Sequence, residues 1–216
     1  MKKKFAIVLA GCGVYDGAEI HEATMTMLAI SRQGAEYQCF APDIDQAHVV
    51  NHLTGKEMNE KRNVLVESAR IARGNILPLA DFKAVDFDAI VFPGGFGVAK
   101  NLCTFAFDGP ECSVNEDARM AVGEMHKAHK PIGALCISPV LIARIIGNVE
   151  VTIGNDKGTA TAVESMGGKH MIATHGEVVV DSSNKIVTTP CYMLDANISQ
   201  IADGAGNVIK TIMGMF

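Results

Sequence analysis

Pro131-Ile132-Gly133-Ala134-Leu135-Cys136-Ile137-Ser138-Pro139 decides how this chain is read. An apolar run ends on a cysteine, and a serine–proline pair follows almost at once. Proline costs nothing at the first helical position, because its missing N–H would have no partner there. The stretch is therefore a buried strand, a sharp turn and a helix. Working outward, Ala89–Phe92 is a second such strand, running into Pro93-Gly94-Gly95-Phe96-Gly97. Phe5–Ala10 is another, ending at Gly11, and Tyr37–Ala41 is closed by Pro42. Continuous apolar runs without alternation belong to strands covered on both faces.

Helical segments lie between these strands. Ile20, Ala23, Met27 and Ile30 recur at helical spacing as far as Arg32, with Gly34 as the stop. Val64, Leu65, Ala69 and Ile71 give a second helix before Gly74. Ser113 and Glu116 have the spacing of a capping box for a helix reaching about His129. His48–Glu60 is polar and aperiodic, an excursion from the main layers. In the last third, Val149–Ile153 reads as a strand and Ala160–Met166 as a short helix. Val178–Val180 and Ile186–Thr189 form a hairpin about Ser182-Ser183-Asn184. A final apolar helix face runs from Ile198 to Ile212, interrupted by Gly204 and Gly206. Strands alternating with helices predict an α/β fold with a mainly parallel sheet, helices on both faces and a small β-hairpin. At 216 residues, a single domain over 1–216 is expected.

Composition removes several function classes. Hydrophobic residues make up 48% of the chain, enough for a full core and too many for disorder. The net charge of −5 leaves no basic face for nucleic acid, and the lack of Trp argues against base stacking. No apolar run approaches a membrane span. Met1-Lys2-Lys3-Lys4 before an apolar run, with Leu9-Ala10-Gly11-Cys12, resembles an export signal. The run is too short for one, and a buried first strand accounts for it. Six cysteines without a CxxC pair fit neither a zinc ribbon nor a disulfide scaffold, so a reducing cytoplasm is expected.

In such sheets, ligands sit at the carboxyl ends of the strands. Three loops qualify: those after Gly11, Phe92 and Leu135. Cys136 lies where a strand turns sharply into a helix, so the helix N-terminus would favour a thiolate. A buried, inert cysteine is the alternative. Gly94 and Gly95 can point backbone N–H groups into a cleft, with the Ile137 N–H as a further donor to an oxyanion. A plain tight turn is the alternative. Glu19 and Glu22 open the first helix. Either could hold a proton beside the sulfur, its pKa raised by burial next to a like charge, or simply complement the helix dipole. Cys12 lies on a candidate site loop, Pro93 and Phe96 flank the glycines, and His175 precedes a strand that could approach the cleft. His48 and His52 lack an acidic third ligand, so no metal is expected. Gly11-Cys12-Gly13 is not a dinucleotide fingerprint, because position 16 is Asp, and no cofactor is expected.

These residues identify a family by resemblance. Phe92–Gly97 and Gly133–Pro139, with the early Glu, resemble the DJ-one/PfpI branch of the class I glutamine amidotransferase-like fold. Gly11–Glu22, Cys39–Asp43, Asn51–Gly55, Arg62–Leu65 and Ile186–Pro190 are similar to its ElbB subfamily, also called enhancing lycopene biosynthesis protein or sigma cross-reacting protein. The resemblance spans nearly the whole chain. It implies a flavodoxin-like three-layer sandwich, a homodimer, Cys136 as nucleophile, Glu22 as its acid partner and Gly94 and Gly95 in the oxyanion loop. It also implies a glyoxalase III-like activity, converting methylglyoxal or glyoxal to lactate or glycolate without glutathione. The chain departs from the pattern at Ile137, where many relatives carry His. An amidotransferase-like glutaminase linked to isoprenoid biosynthesis and a non-enzymatic redox or stress protein are the other readings. The expected partner is a small carbonyl substrate, not nucleic acid or a membrane.

Overall fold

Phe5, Ala6, Ile7 and Val8 are all fully buried, because successive side chains of one central strand point into two different cores. The computed structural model describes residues 2–216. Strand β1 (Lys4–Val8) leads to helix α1 (Ile20–Arg32) and β2 (Glu36–Ala41). The polar excursion folds as a hairpin of β3 (Val50–Asn51) and β4 (Lys56–Glu57). Helix α2 (Val64–Ile71), β5 (Ile76–Pro78) and β6 (Ala89–Phe92) follow. A turn of π-helix over Val98–Leu102 and the short α3 (Phe105–Asp108) precede α4 (Glu116–Lys127). The chain continues through β7 (Ile132–Leu135), α5 (Pro139–Ile146), β8 (Glu150–Val151), α6 (Lys157–Ser165) and β9 (Lys169–His170). It ends with β10 (Val179–Asp181), β11 (Ile186–Thr189) and α7 (Ile198–Met213).

Seven strands form one sheet in the order β10-β11-β7-β6-β1-β2-β5. Every neighbouring pair is parallel except β10–β11, the expected hairpin. Residues of α1, α2 and α7 share the core on one face, and residues of α4, α5 and α6 that on the other. Helix α7 sits so close that a Cβ on Gly133 would stand 3.0 Å from Ile212 and 3.2 Å from Val91. Full burial of a side chain such as Phe5 or Ile7 contributes ~1.5–3 kcal/mol. The α/β sandwich expected from the motifs is the fold observed.

The differences are local. The Phe5–Ala10 run leaves the ladder after Val8, although the Leu9 N–H still reaches Phe40 O at 2.8 Å. Ser113 does not cap α4. Its N–H donates to Thr104 Oγ1 at 2.9 Å, so it is committed to pairing with Thr104, and Asn115 accepts from Ala118 N–H instead. Strand β5 was not anticipated. Helix α7 runs unbroken through its glycines. Gly204 provides clearance there, since a Cβ would meet Cys191 Sγ and Thr189 Oγ1 at 3.2 Å. Val149–Ile153 contributes only the short β8, paired with β9 outside the main sheet.

Candidate active site

The chain leaves β1 for β2 and β5 on one side and later adds β6, β7 and β11 on the other, so β1 and β6 flank the point where the strand order reverses. This is where an open α/β sheet leaves a crevice at its carboxyl edge. The three anticipated loops follow the adjacent strands β1, β6 and β7.

Cys136 follows β7 directly and has φ +61°, a left-handed conformation unusual for a residue with a Cβ. Its surroundings hold it there. The Cys136 N–H donates to Thr189 O at 3.0 Å, and the Ser138 N–H to Leu135 O at 3.0 Å. Ser138 Oγ donates to Pro93 O at 2.9 Å, tying the turn after β7 to the turn after β6. Such strained strand-to-helix turns present a reactive side chain at a sheet edge.

Glu22, from the first turn of α1, is fully buried. Its Oε2 accepts from the Gly94 N–H at 2.8 Å and its Oε1 from the Tyr192 N–H at 3.2 Å, and it is hydrogen-bonded to the Cys136 thiol. Position 94 tolerates only glycine, because a Cβ would overlap Cys136 Cβ and stand 2.6 Å from Glu22 Oε2. Gly95 has φ +101°, and a Cβ there would strike Gly17 O.

The electrostatics follow from burial. Loss of water, and then the charge of Glu19, push the Glu22 carboxyl up to about 8, against the pull of the Tyr192 and Gly94 donors and the Cys136 thiol. Burial and then the Glu22 charge push the Cys136 thiol well above its ordinary value, while the N–H groups of Gly95 and Ile137 pull it down. The expected thiolate at a cleft mouth is therefore corrected. The sulfur belongs to a residue only 6% exposed, and burial and the facing carboxyl both push its thiol up, against the thiolate. The helix N-terminus does not outweigh desolvation and a facing carboxyl.

The anticipated residues separate into two groups. Cys136, Glu22, Gly95 and Ile137 converge. Gly94 sits among them, but Glu22 occupies its N–H, so the free donors are those of Gly95 and Ile137. Pro93 contributes its carbonyl as the anchor for Ser138. Glu19 caps α1, accepting from the Glu22 N–H at 2.7 Å, and acts on Glu22 through its charge. Phe96 is half exposed on the rim, with the Lys100 ammonium 5.4 Å from its ring centre. Cys12 does not reach the sulfur; its charged neighbours are Glu67, Arg70, Asp16 and Arg62, around α2. His175 is an exposed loop residue and joins no hydrogen bond of the site.

Three contributors were not anticipated. The Tyr192 backbone orients Glu22, and its hydroxyl lies 2.8 Å from His21 Nδ1 at the rim. Cys191 is a second buried thiol within the field of Glu22 and Cys136, and burial pushes it well above its ordinary value. Gly17 packs under Gly95 and Gly97. Thr188-Thr189-Pro190 was the available signal: β11 is parallel to β7, so its carboxyl end also opens onto the site. A groove of about 890 Å³ lies between β10 and α7, lined by residues such as Ile172, Glu177 and Lys210, and does not touch Cys136. Among the described residues, no group of three or more His, Cys, Asp or Glu is placed to hold a metal ion, and no helix is long and apolar enough to cross a membrane.

No family model matches the chain. The "ES1 protein homolog, mitochondrial" of Rattus norvegicus is 49% identical over 98% of this chain and 84% of its own length. The human "Glutamine amidotransferase-like class 1 domain-containing protein 3, mitochondrial" is 48% identical over 97% of this chain and 82% of its own. The crystal structure of an isoprenoid biosynthesis protein with an amidotransferase-like domain from Ehrlichia chaffeensis has a TM-score of 0.92 and 37% identity, covering 99% of this chain and all of that one. Candida albicans glyoxalase III (TM-score 0.64, 14% identity, 99% of this chain and 97% of that one) and Drosophila melanogaster DJ-1beta (0.61, 15%, 99% and 92%) share the fold. The relatives' names overturn the expected cytoplasmic location, since those from rat and human are both called mitochondrial. Six free cysteines fit a reducing compartment but do not specify which one. The chain shares its fold with the DJ-1 proteins and belongs to the ES1 family of glutamine amidotransferase-like class 1 proteins.

Proposed function

We propose that the protein is a glutathione-independent glyoxalase acting on methylglyoxal or glyoxal. One observation carries the reading: a fully buried carboxyl, which loss of water pushes up to about 8, is hydrogen-bonded to a thiol that also faces two backbone N–H donors. Glu22 in its carboxylate form takes the Cys136 proton, and the sulfur adds to the aldehyde carbon. The carbonyl oxygen becomes an alkoxide held by the Gly95 and Ile137 N–H groups, and Glu22 returns the proton to it. Glu22 then removes the hydrogen from the former aldehyde carbon, giving an enediol, and delivers it to the adjacent carbon. The product is a thioester on Cys136, which water cleaves to lactate, or to glycolate from glyoxal. No leaving amine has to be protonated, so the reaction does not need the His that Ile137 replaces. A glutaminase does need such a base; the groups acting most strongly on the sulfur are Glu22 and the N–H groups of Gly95 and Ile137, none of them a His. The amidotransferase-like names of the relatives therefore enter as ancestry of the fold. The raised thiol pKa also weighs against Cys136 as a readily oxidised sensor.

The test is lactate formation from methylglyoxal without glutathione by wild type and Cys136→Ala. Turnover in the wild type that falls by at least ~10³-fold in the variant is expected. A wild type without turnover, or a variant with equal turnover, overturns the proposal.

A further inference from the structure

On the opposite face of the sheet, two buried thiols take no part in this chemistry. Cys103 ends the π-turn over Val98–Leu102, and Cys112 closes the loop that carries α3; they are 3% and 1% exposed. The two arms of this loop run antiparallel. Cys103 is bridged to Val114, Thr104 N–H donates to Ser113 O at 3.0 Å, and Asn115 N–H to Leu102 O at 2.9 Å. Cys112 is thus the diagonal neighbour of Cys103 on one side of the pair, a relation that lets side chains touch. The two thiols are hydrogen-bonded to each other. Both ends are held: Val98 O lies 3.3 Å from Cys103 Sγ as the other acceptor its one S–H proton can turn to, and Arg144 Nε donates to Cys112 O at 2.8 Å.

We infer that Cys103 and Cys112 are a redox-modification site, closing to a reversible intramolecular disulfide when the protein meets a hydroperoxide. The inference stands independently of the proposed activity. The two sulfurs have unequal roles. The hydrogen bond from Cys103, aided by the Arg144 cation, holds Cys112 down at about 7 against the effect of burial, so Cys112 is the attacking thiolate. Cys103 is pushed up by the same hydrogen bond and by burial, and stays a thiol. The Cys112 thiolate attacks one peroxide oxygen and breaks the O–O bond, giving a sulfenic acid while the other oxygen leaves as hydroxide and takes up a proton to become water. The Cys103 sulfur then displaces the sulfenic hydroxyl, losing its own proton, and a second water leaves. Two thiols and one hydrogen peroxide become one disulfide and two waters, with two electrons passing from sulfur to oxygen. The segment between the two cysteines, from Thr104 to Glu111, is partly or fully exposed. Closing the bond takes Cys103 Sγ off Val98 O, in the turn that directly follows Gly94–Gly97.

The test uses the full chain, reduced, desalted and treated with equimolar hydrogen peroxide, then blocked with iodoacetamide. Trypsin leaves both cysteines in the peptide 101–119, because no Lys or Arg separates them. The expected result is that peptide unalkylated and lighter by two hydrogen atoms, restored by dithiothreitol, while Cys136 and Cys39 remain alkylatable. In Cys103→Ser, Cys112 should stop at a sulfenic acid that dimedone traps; the wild-type mapping stands even if this variant folds poorly. The inference fails if the 101–119 peptide stays dithiol while other cysteines oxidise, or if its disulfide forms no faster than links among the other four cysteines.

Discussion

Cys136 and Cys112 both expose little surface, yet their thiols are displaced in opposite directions. Burial alone would raise both. Cys136 faces a carboxyl that adds to the push, whereas Cys112 faces a thiol donor and lies near Arg144. Depth and the nearest polar partner act together: at Cys136 burial is the larger push and the carboxyl adds to it, whereas at Cys112 the hydrogen bond from Cys103 outweighs burial. Both partners belong to elements fixed by the fold: α1 supplies Glu22, and α5, the helix that begins just after Cys136, supplies Arg144. In the proposed reaction, the Cys136 thiol is activated by a carboxyl pushed up to about 8.

The largest expected effect comes from removing that carboxyl. With Glu22→Gln, methylglyoxal turnover should fall by roughly 10²–10⁴-fold, the usual scale for losing a positioned acid–base group. The sign of the pH dependence follows from the raised pKa. Below about 8 Glu22 is protonated and cannot take the thiol proton, so kcat/KM in the wild type should rise through that pH, and the rise should vanish in the variant. A wild-type profile flat from pH 6 to pH 9 breaks the contrast between the two thiols.

Gly94→Ala attacks the same pair through space alone. Its Cβ would overlap Cys136 and crowd Glu22 Oε2, so carboxyl and sulfur must move apart. Overpacking of this kind costs ~1–3 kcal/mol of stability, and a displacement of about 1 Å costs roughly 10²-fold in rate. Urea unfolding and lactate assays on the variant check the two figures separately. Normal turnover in a folded Gly94→Ala protein would mean that contact with Glu22 is not what governs Cys136.

How much of this was visible in the sequence depends on the range of the interactions. Phe5–Val8, Ala89–Phe92 and Ile132–Leu135 announce themselves because strands buried on both faces carry no polar positions. Ile76–Pro78 has only three residues, lies at the sheet edge and ends in proline, so no pattern marks it. Ser113 and Asn115 are both good helix caps two residues apart; only the tertiary pairing with Thr104 selects Asn115. At the site, residue types and their carboxyl-edge placement were legible. Which of two adjacent glycines keeps a free N–H was not, since Glu22 takes the one at Gly94 from 72 positions away. The thiolate expectation failed for the same reason, because it weighed the local helix start without the distant carboxyl. Cys103 and Cys112 have no local signature; the antiparallel pairing of their loop brings them together.

A smaller effect separates the electrostatics from the chemistry. The Glu22 carboxyl rises from 4.5 to about 8 on folding, so the folded chain holds a proton that the unfolded chain releases between those values. Stability from this group is therefore full below pH 4.5 and declines as pH rises toward 8, by at most ~1.4 kcal/mol per pH unit. Glu22→Gln has no such group. Whatever its stability at pH 4.5, it should gain on the wild type by a few kcal/mol by pH 8. Parallel unfolding curves for the two proteins across this range would show that Glu22 is not buried beside the sulfur as a proton-holding acid.

The smallest expected effect tests the other thiol. Arg144→Gln keeps a donor within reach of Cys112 O but removes the cation that favours the Cys112 thiolate. The thiolate loses support, and the upward pushes of burial and of the Asp108 charge remain, so the pKa of Cys112 should rise from about 7 by up to ~1 unit. The rise stays small because the hydrogen bond from Cys103 is the larger downward influence, and the substitution leaves it intact. The pH dependence of Cys112 modification by a small thiosulfonate, read by mass spectrometry, measures it directly. Cys136, held up by its own carboxyl, should show no change in the same spectra. If both thiols shift together, the substitution has loosened α5 as a whole; if neither moves, Cys103 alone accounts for the anion at Cys112 and Arg144 serves only to fix the loop.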